Sequence, residues 1–461
     1  MASMFRDVTA TTIEKHGRKT AQKQYRSELR PTTATLGSKA QRDRKGVSEL
    51  RHVSPLQSNI FDARNYVTGA AIHSLLTSAV VGGHLDFLPR YYGKSTTDGP
   101  LQISLEAAAL SRFATETGKQ EVSDMAETKY RFALIETAKS VQDAANAKSA
   151  STIVSVLLLS FCEANSSDVW TSMQAWTKHI HGAYALLTLG DCSLLSKEIG
   201  RKLFMLVVSS MTLHSMQQAV PLPDNLNDIF KLIDTQGQVS DPRIQFQPLI
   251  EDFINLRIEL RQGACHQPRM VVDQAQDLDR RAQLITDEMR QHPDYKFEIR
   301  HLENTTCPAH SNRYHHVYAS LSALLLWNSL RMLRVLLNEV IYEYSDKLKT
   351  TDDTSTASLT LKTTSSEIVT GICVEICGSV PVSSYTTDKQ EPNHISMVHF
   401  LIWPLFKVAT TLHAPAALRK DALSKLDRLG RKYKVQRALL ASYQANSGDV
   451  NDGWMHVSHM Y

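Results

Sequence analysis

Apolar residues recur at helical spacing along most of this chain. From about Ser54 onward they return every three or four residues, and the runs break at polar or Gly- and Pro-containing clusters such as "GKSTTDGP" and "PLPDN". This pattern predicts helices over Phe61–Val81, Ser104–Thr117, Ser123–Ala145, Thr152–Glu163, Asp168–Leu189, Lys197–Ala219, Asn225–Thr235, Leu249–Arg261, Val271–Gln291, His315–Tyr344, Ser366–Gly378, Ile395–Leu412 and Leu418–Ser442. No alternating run of strand length and no repeat of about 20 to 50 residues stands out. The predicted fold class is therefore all-α, a large multi-helix domain over residues 53–461.

The segment "AWTKHIHGAYALLTLGD", Ala175 to Asp191, illustrates the pattern. Its apolar stripe is formed by four residues at offsets of four, three and four, which indicates one buried helical face. These residues are Trp176, Ile180, Ala183 and Leu187. His179 and His181 are two residues apart, about 200° around a helix, so they are a poor chelate for one metal ion. We interpret them as histidines at the rim of the core, solvated or hydrogen-bonded.

Two further segments bear on the architecture. The run from Val317 to Tyr344 is the most apolar long segment, but Arg331 and Arg334 interrupt it. Each charge at mid-bilayer would cost about 3 kcal/mol, so we expect a buried helix of a bundle and no membrane span. The stretch near 345–366 is rich in Ser, Thr and Asp, and we expect a mobile surface loop. The alternative is that its tail extends the next helix.

Charge is distributed unevenly between the ends of the chain. Residues 1–52 carry twelve Lys or Arg against five Asp or Glu, a net charge of +7, whereas the remainder has a net charge of −3. The segment is polar and broken by Pro31 and Gly37, so we expect a flexible, disordered arm with at most one short helix over Thr11–Leu29. Nuclear import or phosphate contact is one interpretation of its basic groups, and a solvated arm is the other. The candidate residues are Lys15, Arg18, Lys19, Arg42, Arg44 and Lys45.

Residue patterns that carry chemistry are missing from the sequence. It has no nucleophile elbow, zinc-protease, P-loop or dinucleotide-binding motif, so we expect no enzyme activity, no catalytic residues and no cofactor. The six cysteines are sparse, and no apolar run begins the chain, which favours a reducing compartment. Only Cys373 and Cys377 are close, four residues apart on a predicted helix. We interpret both as core residues because no third metal ligand lies nearby.

Four segments in order resemble one family. "AWTKHIHGAYALLTLGD", "LLLWNSLRMLRVLLNEVIYE", "GICVEICGSVP" and "LIWPLFKVAT" are similar to the Trp-His-Gly-Ala-Leu-Leu-Gly, Trp-Asn-x-Leu-Arg, Ile-Cys-x-Ser-Val-Pro and Trp-Pro-Leu-Phe segments of the fungal-specific transcription factor domain. That domain is the helical regulatory region found behind binuclear zinc-cluster DNA-binding modules. The resemblance extends over about residues 100–440. It implies a nuclear regulator of transcription.

The start of the chain departs from the family pattern. "MFRDVTATTIEKHGRKTAQK" is similar to the Phe-Arg-Asp segment that follows the last zinc-cluster cysteine in many members. The cluster needs six closely spaced thiolates to hold two zinc ions, and residues 1–161 contain no cysteine. No metal ligand or base-reading residue is therefore carried over, and we expect DNA contact that is weak or indirect.

The resemblance leaves two accounts of regulation open. In one, the chain controls its target genes by associating with other transcription regulators or with itself as a dimer. A biosynthetic gene cluster is the narrower hypothesis for those target genes. In the other, it is an N-terminally incomplete zinc-cluster activator or repressor. A hypothesis of another class is small-molecule sensing, in which Trp327, Met332, Tyr342 and Trp403 would line a pocket between helices. The alternative for those four residues is plain core packing, with Trp176 and Trp403 as structural anchors.

Overall fold

The computed structural model describes residues 55–80, 87–89, 99–165, 169–189, 192–234, 242–263, 267–301, 314–348, 352–381 and 393–451. Within these ranges the chain forms fourteen α-helices and one two-stranded antiparallel sheet, so the all-α prediction is confirmed. The helices of the first half are α1 Pro55–Val80, α2 Pro100–Thr117, α3 Gln120–Gln142, α4 Ala150–Ala164, α5 Val169–Leu187, α6 Glu198–Gln218 and α7 Leu226–Asp234. The elements of the second half are α8 Pro242–Arg261, α9 Pro268–Gln291, β1 Phe297–His301, β2 Tyr314–Tyr318, α10 Leu321–Ser345, α11 Asp352–Gly378, α12 Asn393–Thr410, α13 Ala416–Tyr433 and α14 Gln436–Ser447.

Two apolar clusters form the interior. The first gathers buried residues of α1 to α7, and the second gathers those of α8 to α14. Helix α6 contributes to both, because Leu203 and Phe204 lie in the first cluster whereas Leu213 and Met216 lie in the second. The clusters are therefore joined along the length of a single helix.

A buried arginine ties the last helix to the first cluster. Arg437, at the start of α14, donates from Nε to the carbonyl oxygen of Ala164 at 2.5 Å. Ala164 is the last residue of α4, where backbone carbonyls have no partner within the helix and the dipole is negative. The guanidinium therefore caps α4 from a position 273 residues later in the chain.

Helix α10 lies at the centre of the second cluster. Its N-cap is Ser320, whose Oγ accepts a hydrogen bond from the Ala323 amide at 3.0 Å. It packs against α9 and α11 along its length and also contacts α8, α12 and β2. None of the helices in the described ranges combines the length and apolar character needed to cross a bilayer. The long apolar run is covered on several sides by protein, as expected for a buried helix of a bundle.

Three predictions of local structure are wrong. The expected loop near 345–366 is largely helical, because α11 already begins at Asp352. Its Ser and Thr hydroxyls find partners on backbone carbonyls: Thr360 and Thr363 bond within α11, and Ser358 donates to the Ser345 carbonyl at the end of α10 at 2.7 Å. Hydroxyls satisfied in this way no longer compete with the helix.

The other two errors concern helix ends. The helix predicted to begin at His315 begins at Leu321, since residues 314–318 pair with 297–301 as strands. The helix predicted over Leu418–Ser442 is two antiparallel helices, α13 and α14. The chain reverses at Lys434, whose φ of 55° lies in the left-handed region and whose amide bonds to the Gly430 carbonyl. No Gly or Pro marks this reversal in "YKVQ".

A glycine sets the distance between α13 and α14. A Cβ built on Gly430 would lie 2.7 Å from Cγ of Leu439 and 2.9 Å from its backbone nitrogen.

Gly430→Ala should therefore lower the free energy of unfolding by about 2 kcal/mol, because α14 must move away. Gly371→Ala is the matched control, since Gly371 is exposed on α11 with nothing within 4 Å of the added methyl group. It should raise the free energy of unfolding by about 0.5 to 1 kcal/mol. Urea unfolding measures both, and equal effects of the two substitutions would contradict the close approach.

Candidate functional site

The six basic residues proposed for nuclear import or phosphate contact all lie outside the described residues. They are Lys15, Arg18, Lys19, Arg42, Arg44 and Lys45. The prediction for the arm over residues 1–52 therefore stays a prediction.

The histidine-containing helix is confirmed as α5, and its apolar stripe is buried as predicted. The interpretation of His179 as a rim residue is wrong: its side chain is buried, and Nε2 has no hydrogen-bond partner in the structure. It lies three residues after Trp176 and four before Ala183, on the stripe itself. Burial, followed by the charge of Lys178, lowers the pKa of His179 to about 4.

The two cysteines on α11 are core residues, as interpreted from the sequence. Cys373 and Cys377 are both buried against the second cluster. Burial raises the pKa of Cys373 to about 12 and raises that of Cys377 still further. Protonated thiols are poor nucleophiles and poor metal ligands. Across the described ranges, no three His, Cys, Asp or Glu side chains are grouped so as to hold a metal ion.

Three of the four residues that the sensing hypothesis placed around a pocket are packed in the interior. Trp327, Met332 and Trp403 are fully buried within the second cluster. Tyr342 is half-buried, with its ring 4.2 Å from that of His413. Trp327, Met332 and Trp403 are therefore core residues, whereas Tyr342 is only partly buried, and Trp176 and Trp403 are structural anchors as expected.

The described residues contain a buried polar network around Arg331 of α10. This side chain is 3% exposed. Its Nε donates to Oε2 of Glu375 at 3.1 Å, and Nη1 donates to the Tyr318 hydroxyl at 2.6 Å and to Oδ1 of Asn328 at 3.1 Å. One guanidinium thus connects α10 to α11 and to β2. Charge-assisted hydrogen bonds of this kind compensate for the cost of removing the charge from water.

Aromatic rings enclose the same guanidinium. Its Cζ lies 5.1 Å from the ring of Trp327, 5.5 Å from that of Phe297 and 6.0 Å from that of Tyr318. The electron-rich faces of such rings attract a cation, more strongly where water is excluded. Trp327 is itself fixed by a hydrogen bond from Nε1 to the Tyr295 carbonyl at 2.7 Å.

The strand β2 brings a histidine to this network. His316 is buried, and its Nδ1 lies 3.1 Å from the Tyr318 hydroxyl. Burial, followed by the charges of Arg331 and His315, lowers its pKa to about 3. His315 and His316 are successive residues of β2 and therefore point to opposite faces of the strand. A Cβ on Gly378, at the end of α11, would lie 3.1 Å from Nε2 of His316, so the strand and the helix meet closely there.

Two further polar residues of α10 bond to neighbouring helices. Arg334 forms a bidentate pair with Asp279 of α9, at 2.8 and 3.1 Å, and the two side chains are 14% and 12% exposed. Glu339 bonds to Lys407 of α12 at 2.7 Å and accepts from Thr411 at 2.8 Å. The charged side chains of Arg331, Arg334 and Glu339 thus bond to other elements of the fold, so this network acts to position helices.

A second candidate lies on the surface, where α13 and α14 leave a groove of about 500 Å³ between them. Leu423 and Leu439 are half-buried in it, and Tyr443, 72% exposed, stands on one wall. Lys420 and Arg431 line it on α13. The sequence reasoning missed this site because it treated residues 418–442 as one helix, which has no groove.

Comparison with known proteins adds no assignment to this geometry. No family model matches the chain, no curated protein matches it, and no solved structure matches it. The resemblance to the fungal-specific transcription factor domain rests on the quoted sequence segments alone.

The buried histidines predict acid destabilisation. His179 and His316 have pKa values lowered to about 4 and about 3, so both are neutral in the fold at neutral pH. Below the ordinary His pKa of about 6.5 the unfolded chain takes up protons that the folded chain excludes. Stability is therefore complete above about pH 6.5 and is lost as the pH falls towards 4, by about 1.4 kcal/mol per pH unit for each histidine.

Urea unfolding between pH 7 and pH 5 measures this slope. The substitution His179→Leu should lower the slope of the free energy of unfolding against pH by the contribution of one histidine, about 1.4 kcal/mol per pH unit. His73→Leu, at an exposed position of α1, controls for the loss of one imidazole from the chain. An unchanged slope in His179→Leu would show that this imidazole does not stay neutral in the fold.

Proposed function

We propose that this chain is a transcription regulator that acts through a helical regulatory domain and by contact with other proteins. In this proposal it works in the nucleus, associates with other regulators or with itself, and touches DNA weakly or through a partner. Control of a biosynthetic gene cluster is the narrower form of the proposal. The resemblance to the fungal-specific transcription factor domain is its source.

The supporting observation is that residues from separate resembling segments bond to one another. Asn328 and Arg331 belong to "LLLWNSLRMLRVLLNEVIYE", and Glu375 and Ser379 belong to "GICVEICGSVP". Arg331 is paired with Glu375, and Nδ2 of Asn328 donates to Oγ of Ser379 at 3.3 Å. Polar residues that meet in a buried network are hard to replace singly, since each leaves an unsatisfied partner. A family that shares this arrangement would be expected to share these residue types.

The third segment of the second half joins the same interior. Trp403, in "LIWPLFKVAT", is buried in the cluster that contains Trp327. The remaining segment, "AWTKHIHGAYALLTLGD" in and after α5, contributes Trp176 to the first cluster. The segments are thus interior elements of the folded chain, which accords with a resemblance carried by apolar residues and a few buried polar ones.

The alternative that the chain is an incomplete zinc-cluster protein makes the same regulatory claim and differs in what holds the DNA. An in-frame Cys-x2-Cys-x6-Cys pattern in the genomic sequence upstream of Met1 would favour it. Gel shifts with the purified 461-residue chain are the biochemical counterpart.

Transcript profiling after deletion of the gene tests the proposed function. We expect a defined set of transcripts to change and to recover when the chain is supplied again, whereas an unchanged profile would contradict a role in transcription. In gel shifts, the partner-held form predicts DNA binding only at about 50 mM salt, without sequence preference, and lost by about 200 mM salt. A sequence-specific shift that survives 200 mM salt would contradict that form and leave the regulatory role standing.

A further inference from the structure

We propose that the groove between α13 and α14 binds an amphipathic helix of a partner protein, one whose apolar stripe is flanked by acidic residues. The inference deepens the proposed function by locating its protein contact, and for its biological meaning it rests on that proposal. The groove itself is a feature of the described residues and is open to direct measurement.

The spacing of the groove residues suits a helix as occupant. On α13 they lie at positions 420, 423, 424, 427 and 431, and on α14 at positions 439, 442, 443 and 446. Residues three, four and seven apart share one helical face, so these positions form two parallel ridges along the antiparallel pair. A third helix can lay one face along the seam between them, as in other helix-in-groove complexes.

The groove has an apolar floor and one exposed aromatic wall. Leu423 and Leu439 supply the floor, and Tyr443 extends into solvent from α14. Gly430 lets the helices touch at Leu439, so the floor is closed at the end where the chain reverses. Exposed aromatic side chains beside an apolar depression are typical anchors of protein interfaces.

The charge on the rim decides the chemistry of the partner. Lys420 and Arg431 line the groove on α13, and the exposed Lys434 follows at the turn. Asp427 is the acidic residue on this ridge, and it is paired with Arg431 at 2.8 Å. The other ion pair of α13, Lys425 with Asp421, is buried and does not contribute to the rim. An excess of positive charge around the groove favours acidic flanks on its occupant.

A nucleic acid fits the same surface less well. Phosphate backbones bind Lys and Arg without using an apolar floor, and they are repelled by a carboxylate such as Asp427 between the basic residues. A peptide helix can bury leucine side chains on Leu423 and Leu439 while its carboxylates reach Lys420 and Arg431. The observations therefore favour a protein helix, and DNA becomes an outcome of the test.

The experiment uses the full chain and three fluorescein-labelled, end-capped 18-residue peptides. All share one leucine stripe at helical spacing, and the flanking positions carry Glu, Gln or Lys. We expect saturable anisotropy changes for the Glu peptide with a Kd on the order of 10 μM, and binding at least about tenfold weaker for the Lys peptide. Equal affinities for the Glu and Lys peptides, or no saturable binding of the Glu peptide, would overturn the proposal.

Variants place the binding in the groove. Lys420→Glu combined with Arg431→Glu should weaken the Glu peptide at least about tenfold and strengthen the Lys peptide. Lys119→Glu combined with Lys148→Glu, at exposed positions of the first half, is the charge-matched control and should change neither. Tyr443→Ala should weaken the Glu peptide, while Tyr66→Ala, at the exposed Tyr66 of α1, should not. Thermal unfolding confirms that each variant is folded.

A labelled 20-base-pair DNA duplex completes the series. If the duplex binds in a way that depends on Lys420 and Arg431 while the Glu peptide does not bind, the surface is a nucleic-acid site and the proposal fails. Because these measurements use purified components, they are independent of transcript profiling. Failure of the peptides together with an altered transcript profile would remove this inference alone.

Discussion

The burial of a long helix that carries charged side chains is the constraint on which the second half of this fold depends. Helix α10 is covered by protein on several sides, yet it contains Arg331, Arg334 and Glu339. An unpaired charge in such a place would cost several kcal/mol, so each of these residues requires a partner on another element. The partners are supplied by α9, α11, α12 and the strand β2. Satisfying these groups therefore also fixes where the surrounding elements lie.

The sequence predicted the helices, which depend on the periodicity of apolar residues. It did not predict the strands, which depend on pairing between distant residues. Helical spacing located most helices, and it marked the buried stripe of Trp176 on α5 correctly. It did not reveal β1 and β2, because a two-stranded hairpin packed on a helix needs few alternating residues. The strand placement of His316 is set instead by its pairing with Ile299 of β1 and by its close approach to Gly378, which are contacts distant in sequence.

The sequence pattern also failed to predict a helix end at a turn that contains no glycine or proline. Lys434 adopts a left-handed conformation between α13 and α14, and the sequence "YKVQ" contains no residue that predicts a turn there. Reading the two helices as one concealed both the Gly430 contact and the groove. The basic residues of α13 are visible in the sequence. However, the net charge of −3, which was counted over all of residues 53–461, does not reveal a local excess of positive charge. Local charge on a helix face is the better signal for a surface.

The interior and the surface thus carry different kinds of information. In the interior, Asn328 and Arg331 of α10 bond to Ser379 and Glu375 at the end of α11, so these two segments are joined by polar contacts. The surface offers a basic, apolar-floored groove in the same half of the chain.

The most direct measurement of the central claim is a double-mutant cycle on Arg334 and Asp279, the bidentate pair between α10 and α9. Free energies of unfolding are measured for Arg334→Ala, Asp279→Ala and the double variant, beside the same cycle on the exposed pair Arg269 and Asp273 of α9. If buried charges on α10 must be paired, the first cycle gives a coupling of about 2 kcal/mol or more and the second less than about 0.5 kcal/mol. A coupling in the buried pair no larger than that of the exposed pair would contradict it.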